Sequence, residues 1–181
     1  MHEYVTSLAA LNQSVPYGLT LLFARLSLGF TFFAHGYQKS FRGGGLKGTA
    51  GWFESVGVRP GMLNAIMASS SEMTVGVFVA LGLLMPLACA GVISLMVVAI
   101  VTVHRQNGFF IFNKGEGIEY TLALAVMALL LGTFGAGRYS IDALWKGLKW
   151  AGTVNFTVTL VVGVVAAILQ LVTFYRPSSV Q

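Results

Sequence analysis

Five stretches of mostly apolar residues dominate the chain, and short segments between them hold most of its charged residues. A helix needs about 20 predominantly apolar residues to cross the hydrocarbon core of a bilayer. On this basis we predict five membrane spans, at residues 17–35, 62–84, 86–104, 118–134 and 154–174. Only Met85 and Pro86 join the second and third spans, and proline cannot continue the preceding helix. The pattern therefore predicts an all-α membrane protein with a tight antiparallel hairpin at this proline.

The composition points the same way. Of the 181 residues, 56% are hydrophobic and only 9% are charged, whereas soluble domains carry about a quarter charged residues. The net charge of +5 does not indicate nucleic-acid binding, because the basic residues lie in the gaps between spans and not on one face. Cys89 is the single cysteine and lies in an apolar stretch, which excludes an internal disulfide and a cysteine zinc site.

The distribution of basic residues predicts the topology. With five spans, one side of the membrane holds two loops, residues 36–61 and 105–117, together with the C-terminus. The seven basic residues on that side are Lys39, Arg42, Lys47, Arg59, Arg105, Lys114 and Arg176, against Arg138, Lys146 and Lys149 on the other. Cytoplasmic loops carry the excess of Lys and Arg. We therefore expect a multi-pass protein of the cell membrane with a cytoplasmic C-terminus and an external N-terminus.

Two ionisable residues fall well inside predicted spans, Arg25 in the first and Glu72 in the second. A charge at the bilayer centre costs at least about 2.5 kcal/mol, so each should face protein and have a partner. We expect the two side chains to interact with each other, directly or through a water molecule. Such a pair could simply fix the packing of two helices, or it could belong to a polar pocket or proton path; a third alternative is that Arg25 extends toward the lipid headgroups. The hydroxyls of Ser69, Ser70 and Ser71 favour a local polar cavity.

A second group of polar residues is predicted at the cytoplasmic rim. His35 ends the first span, His104 ends the third and Glu119 opens the fourth, so alternating helix directions place all three at one depth. Lys39 lies one turn beyond His35, and Tyr120 adjoins Glu119. Imidazoles near a carboxylate suit proton exchange with a bound redox ligand, although such residues also commonly mark helix ends. Haem ligation is disfavoured, because the third histidine, His2, is predicted on the opposite side.

Three further segments have predicted roles. Gly43, Gly44 and Gly45 lack the lysine and spacing of a phosphate-binding loop and are interpreted as a flexible linkage. Residues 49–54, which include Trp52 and Phe53, could lie in the membrane interface. In the fifth span, Gly163 and Ala167 have a small-residue spacing that permits close helix contact, and it more often reflects packing within a bundle than a partner-binding seam.

Taken in order, the motifs of the chain resemble the DoxX family of small bacterial membrane proteins. They are Arg25-Leu26-x-x-Gly29, Phe33-x-His35-Gly36-x-x-Lys39, Gly51-Trp52-Phe53-x-x-x-Gly57, Glu72 ahead of Gly76, His104 before Asn107-Gly108-Phe109-Phe110, Gly117-x-Glu119-Tyr120, and Gly135-x-Gly137-Arg138-Tyr139-Ser140-x-Asp142. The resemblance implies a four-helix transmembrane bundle, to which this chain adds a fifth, C-terminal transmembrane helix. The predicted organisation is an N-terminal segment (residues 1–16), a DoxX-like bundle (17–144) and a connecting segment with the fifth helix and a short tail (145–181).

Some members of the family are linked to sulfur-compound oxidation with quinone as the electron acceptor. By this resemblance, we expect a membrane subunit of a quinone-linked oxidoreductase that lacks its own redox centre and receives electrons from a protein partner. His35, His104 and Glu119 would exchange protons, while Arg25, Glu72, Lys39 and Tyr120 would form the quinone pocket. Two alternatives stay open at this point: a non-catalytic membrane anchor of a larger complex, and a small-solute transporter. No metal or nucleic-acid site is expected.

Overall fold

The computed structural model describes residues 14–145 and 152–177. These residues form helices and no β-strand, which confirms the all-α prediction. In chain order the α-helices are α1 (Val15–Phe41), α2 (Gly45–Ser55), α3 (Gly61–Leu81), α4 (Met85–Ala99), α5 (Glu119–Phe134), α6 (Ile141–Trp145) and α7 (Gly152–Phe174). A π-helical segment (Ile100–His104) and a 3-10 turn (Arg105–Asn107) continue α4. His2, most of the predicted N-terminal segment, Lys146, Lys149 and Trp150 lie outside the described residues.

Four helices are long and apolar enough to cross a membrane: α1, α3, α4 with its continuation to Asn107, and α7. The fifth predicted span, α5, has 16 residues and is about 24 Å long. It nevertheless connects the two ends of the bundle. The Glu119 amide at its start donates to Phe109 O in the loop beyond His104, and Asp142, just after its end, binds the start of α4. The chain is thus an all-α membrane protein whose five long helices alternate in direction.

Helices α1 and α3 pack closely, because glycines face the partner helix at two levels. A Cβ atom on Gly29 would lie 2.5 Å from Gly76 O, and one on Gly36 would lie 2.6 Å from Ser69 O. Small residues of this kind let helix backbones approach in membranes. The two contacts are seven residues apart on each helix, so they fix the register of the antiparallel pair.

The first predicted span ended too early, at residue 35. Helix α1 continues through Gly36, which is buried against α3, and ends at Phe41. Gly43, Gly44 and Gly45, all with positive φ, turn the chain directly into α2. The predicted interfacial residues 49–54 lie in α2, which packs Ala50 and Phe53 inward and leaves Trp52 44% exposed. The loop after α1 is therefore mostly a short helix.

The fifth long helix, α7, packs against α4. The Thr159 hydroxyl donates to Pro86 O at 3.2 Å, and Gly163 lies against Ala90 and Ile93. Gly163 and Ala167 are both buried, so their spacing forms a contact within the bundle. Outward-facing side chains of α1 and α7, such as Phe23, Phe30 and Val172, are 69–73% exposed. An apolar exterior of this kind suits a surface in lipid.

Candidate functional site

One end of the bundle encloses a cavity of about 460 Å³. Its polar lining comes from residues that are far apart in sequence: His35, Lys39 and Glu72 from α1 and α3, and His104, Glu116 and Tyr120 from the end of the π segment, the following loop and α5. Apolar side chains complete the walls, among them Phe32, Trp52, Phe53, Leu95, Met96 and Leu124. A cavity with mostly apolar walls and a few convergent polar groups is typical of a small-molecule site.

An ion pair between Lys39 and Glu72 lies in this cavity. The Lys39 ammonium donates to both oxygens of the Glu72 carboxylate, at 2.5 and 2.6 Å, and only 23% and 9% of the two side chains are exposed. His35 lies one helical turn before Lys39. The continuation of α1 past Gly36 makes the pair possible, because Lys39 lies in this added turn and its long side chain reaches Glu72 on α3. The Ser40 and Ser69 hydroxyls hydrogen-bond beside it.

The predicted pairing of Arg25 with Glu72 is wrong. Arg25 is fully buried, but it lies near the opposite end of α3 and is not among the residues that line the cavity. Its guanidinium donates to Ala80 O at 3.2 Å and to Tyr139 O at 2.5 Å. The α1–α3 register explains the separation, since Gly29 already faces Gly76 and Arg25 lies one turn farther from Glu72. Arg25 is thus placed to hold helices together and does not belong to the pocket predicted for it.

Asp142 lies at the same end of the bundle as Arg25, and the sequence analysis gave it no role. Its carboxylate accepts hydrogen bonds from the backbone amides of Leu84 and Met85, at 2.8 and 2.9 Å. These amides lie at the N-terminus of α4, where backbone N–H groups have no helical partner and a negative charge is stabilised. The closing motif from Gly135 to Asp142 is therefore bonded to the turn of the α3–α4 hairpin. An acidic residue soon after an apolar helix was the available signal.

His104 and Glu119 lie at the same end of the bundle but have different surroundings. His104 Nδ1 is 2.9 Å from the Glu116 carbonyl oxygen. Because a carbonyl can only accept, Nδ1 carries the proton in this contact, and the neutral ring keeps an acceptor at Nε2. The Glu119 carboxylate instead accepts from the Ile111 amide at 3.1 Å and is not in the cavity lining. Glu116 and Tyr120 line the cavity near His104, where the sequence analysis had expected Glu119.

The comparisons with known proteins agree with the motifs. Residues 20–105 match the family model DoxX. The chain carries a DoxX domain. It is also similar to an uncharacterized protein of Haemophilus influenzae, with 28% identity over 142 residues that cover 74% of this chain and 88% of that protein. No solved structure matches the chain significantly. The predicted resemblance to DoxX is thus confirmed.

The DoxX domain supplies only part of the cavity. His35, Lys39, Glu72 and His104 fall within the matched residues, whereas Glu116, Tyr120 and Gln170 follow them. Gln170 belongs to α7, so the fifth helix contributes a polar side chain to the site. From the sequence, the fifth span had only the small-residue spacing of Gly163 and Ala167 to suggest a role, and Gln170 was given none.

His104 ends a π-helical segment, which sequence reasoning also missed. Single-turn π segments inside α-helices are rare and are frequent at functional sites. The segment Ile100–His104 contributes Thr102, Val103 and His104 to the lining of the cavity beside the DoxX domain's Lys39 and Glu72. Among the described residues, no group of three or more His, Cys, Asp or Glu side chains could hold a metal ion.

Proposed function

We propose that this protein is the quinone-binding membrane subunit of an oxidoreductase complex. The observation that carries the proposal is the cavity in the bundle, in which the Lys39–Glu72 pair and two histidines meet apolar and aromatic walls. A volume of about 460 Å³ falls within the range of about 300–1,000 Å³ for small-molecule sites. The lining is suited to a flat, apolar ring that bears polar oxygens.

The polar residues fit the chemistry of such a ligand. A bound quinone would supply the capacity to accept two electrons and two protons. Lys39 can donate a hydrogen bond to a carbonyl oxygen, and Glu72 holds the ammonium in position. His104, anchored through Nδ1 by Glu116 O, has its second ring nitrogen available to exchange a proton. His35 and the Tyr120 hydroxyl provide further groups that can bind or transfer protons.

The proposal assigns the supply of electrons to a protein partner. The sequence has one cysteine, and its Gly43-x-Gly45-x-x-Gly48 stretch follows helix α1 and not a β-strand, so neither feature indicates an electron carrier. The apolar walls and the surrounding helices would exclude water from the bound ring. Exclusion of water strengthens each polar contact made within the cavity.

Quenching of Trp52 fluorescence tests the proposal. Trp52 lines the cavity, and replacing Trp145 and Trp150 with phenylalanine leaves it as the reporter. In nanodiscs, a short-chain benzoquinone or naphthoquinone should quench Trp52 saturably. His104→Ala should weaken binding about tenfold, as expected for loss of a polar contact in a desolvated site. The matched control Glu119→Gln, which alters a carboxylate outside the cavity, should leave the affinity unchanged. Absence of saturable binding would refute the quinone function and favour the anchor interpretation.

A further inference from the structure

Gln170 is the side chain that the uncharged membrane helix α7 contributes to the cavity. The twenty-three residues of α7 include no charged residue, and Gln170 lies four residues before its end. Among the described residues, its amide makes no hydrogen bond, although it can donate two and accept two. An amide without partners is strongly disfavoured in an apolar environment, where no bulk water satisfies it. Gln170 is half-buried, and its amide is available to bind a molecule in the space that it lines.

The position of Gln170 is fixed from both ends of its helix. At the C-terminal end, Arg59 N donates to Phe174 O at 2.9 Å and Arg176 N donates to Gly57 O at 2.6 Å. These bonds tie α7 to Val58, which is itself part of the cavity wall. Toward the other end, Gly163 packs against α4. The fifth helix is thus held against α4 and the segment around Val58, both of which contribute residues to the cavity wall.

Two spaces meet at Gln170. One is the cavity, and the other is a groove of about 340 Å³ lined by Ser70, Ser71, Thr74 and Ser94, with Leu95 and Gln170 common to both. The groove is lined by four hydroxyl groups that can bind water, and the Ser70 hydroxyl already donates a hydrogen bond to Ile66 O. In the cavity, by contrast, α7 contributes no polar group except Gln170.

We propose that Gln170 is a ligand-binding residue of the cavity, whose amide donates a hydrogen bond to a carbonyl oxygen of the bound molecule. This inference rests on the proposed quinone function. A quinone has two carbonyl oxygens on opposite edges of its ring, and Lys39 serves one of them. The proposal assigns Gln170 to the other, so that the fifth helix takes part in ligand selection and is more than an added packing element.

The experiment uses the full-length chain with Trp52 as the single tryptophan, in nanodiscs, titrated with a short-chain naphthoquinone. Gln170→Met keeps the length and packing of the side chain but removes the amide. It should raise the dissociation constant about five- to tenfold, the effect of losing one hydrogen bond. The matched control is Thr173→Val on the same helix, where the hydroxyl bonds only to Leu169 O. It should leave the dissociation constant unchanged.

The thermal unfolding midpoint of each variant shows whether the fold is intact. Weaker binding by a folded Gln170→Met protein, with normal binding by Thr173→Val, would support the assignment. Unchanged binding by Gln170→Met, while the parent protein binds, would overturn it, place the amide in the groove and leave the quinone function standing. Failure of the parent protein to bind would refute the quinone function, and the assignment of Gln170 with it.

Discussion

Buried charges decide much of the structure at the scale of single residues. The pair of Lys39 and Glu72 is enclosed by α1 and α3, and removing one partner would leave an uncompensated charge. Glu72→Met and Lys39→Met should each lower the free energy of unfolding by about 3–5 kcal/mol. The double variant should lose less than the sum, because no orphan charge remains. Denaturant unfolding in detergent measures all three.

A distant carboxylate provides the control for this cycle. Asp142 lies at the opposite end of the bundle from Glu72 and shares no contact with it, so Asp142→Asn combined with Glu72→Met should give additive losses. Additive losses for Lys39 and Glu72 themselves would show that the ion pair does not form in the membrane protein.

Asp142 itself carries the second residue-scale prediction. Its two oxygens each accept a backbone amide of the α4 N-terminus, and an asparagine can keep only one of these bonds. Asp142→Asn should therefore lower the free energy of unfolding by about 1–3 kcal/mol, while quinone binding stays normal. Glu119→Gln, at a more exposed carboxylate with one amide partner, should cost less. A loss of ligand affinity without a loss of stability would contradict a purely structural role.

The sequence could predict that Arg25 and Glu72 are buried, but it could not predict their partners. The cost of a lone charge in hydrocarbon requires burial whatever the register. The partner, however, depends on how far α1 slides along α3, and hydrophobicity does not encode that distance. Gly29 and Gly36 on one helix, with Ser69 and Gly76 on the other, did encode it. Matching these two seven-residue spacings would have placed Arg25 opposite Ala80, to which it donates, and away from Glu72.

The glycines at the α1–α3 crossing lead to a prediction at the scale of helices. Gly29→Ala would set a methyl group 2.5 Å from Gly76 O and 2.8 Å from Ala80 Cβ. Because the obstacle includes backbone, the helices must separate, and we expect a loss of about 1–3 kcal/mol. Gly51→Ala is the matched control, since nothing lies within 4 Å of its Cβ position in α2. Alanine is the better helix former, so this change should be neutral or stabilising by up to about 1 kcal/mol. Thermal unfolding of the two variants should thus shift in opposite directions.

Helix ends were less predictable than helix existence. Apolar length identified five long helices, and Pro86 correctly located the turn between α3 and α4, where it lies in the first turn of α4. The end of α1 was wrong, because Tyr37, Gln38 and Lys39 look like a loop by hydropathy although they continue the helix against α3. The π segment at His104 leaves no hydropathy signal, since one extra residue in a turn does not change composition.

At the scale of the whole molecule, polar side chains gather at two opposite ends of the bundle, and the two groups have different roles. One end holds Arg25, Asp142 and the closing motif, which fasten helices through backbone atoms. The other holds the cavity, whose lining comes from α1, α3, α4, α5 and α7. Each of these helices contributes only a few side chains, so no single sequence motif could have revealed the complete site. Substitutions at the Arg25–Asp142 end should consequently change stability alone, whereas substitutions in the cavity should also change ligand binding.

The arrangement of the ends across the membrane is the last prediction. Cys89 is buried and is the single cysteine, so a Cys89→Ala protein can receive new cysteines at Gly43, Lys114 and Leu144. Gly43 and Lys114 lie near the cavity end, while Leu144, 82% exposed, follows the closing motif. The seven-to-three excess of basic residues predicts a cytoplasmic cavity end. In intact cells without an outer-membrane barrier, an impermeant maleimide should label position 144, and positions 43 and 114 should react only in inverted vesicles. The reverse pattern would place the cavity outside and overturn the orientation while leaving the fold intact. Labelling of all three positions from one side would contradict the alternating helix directions themselves.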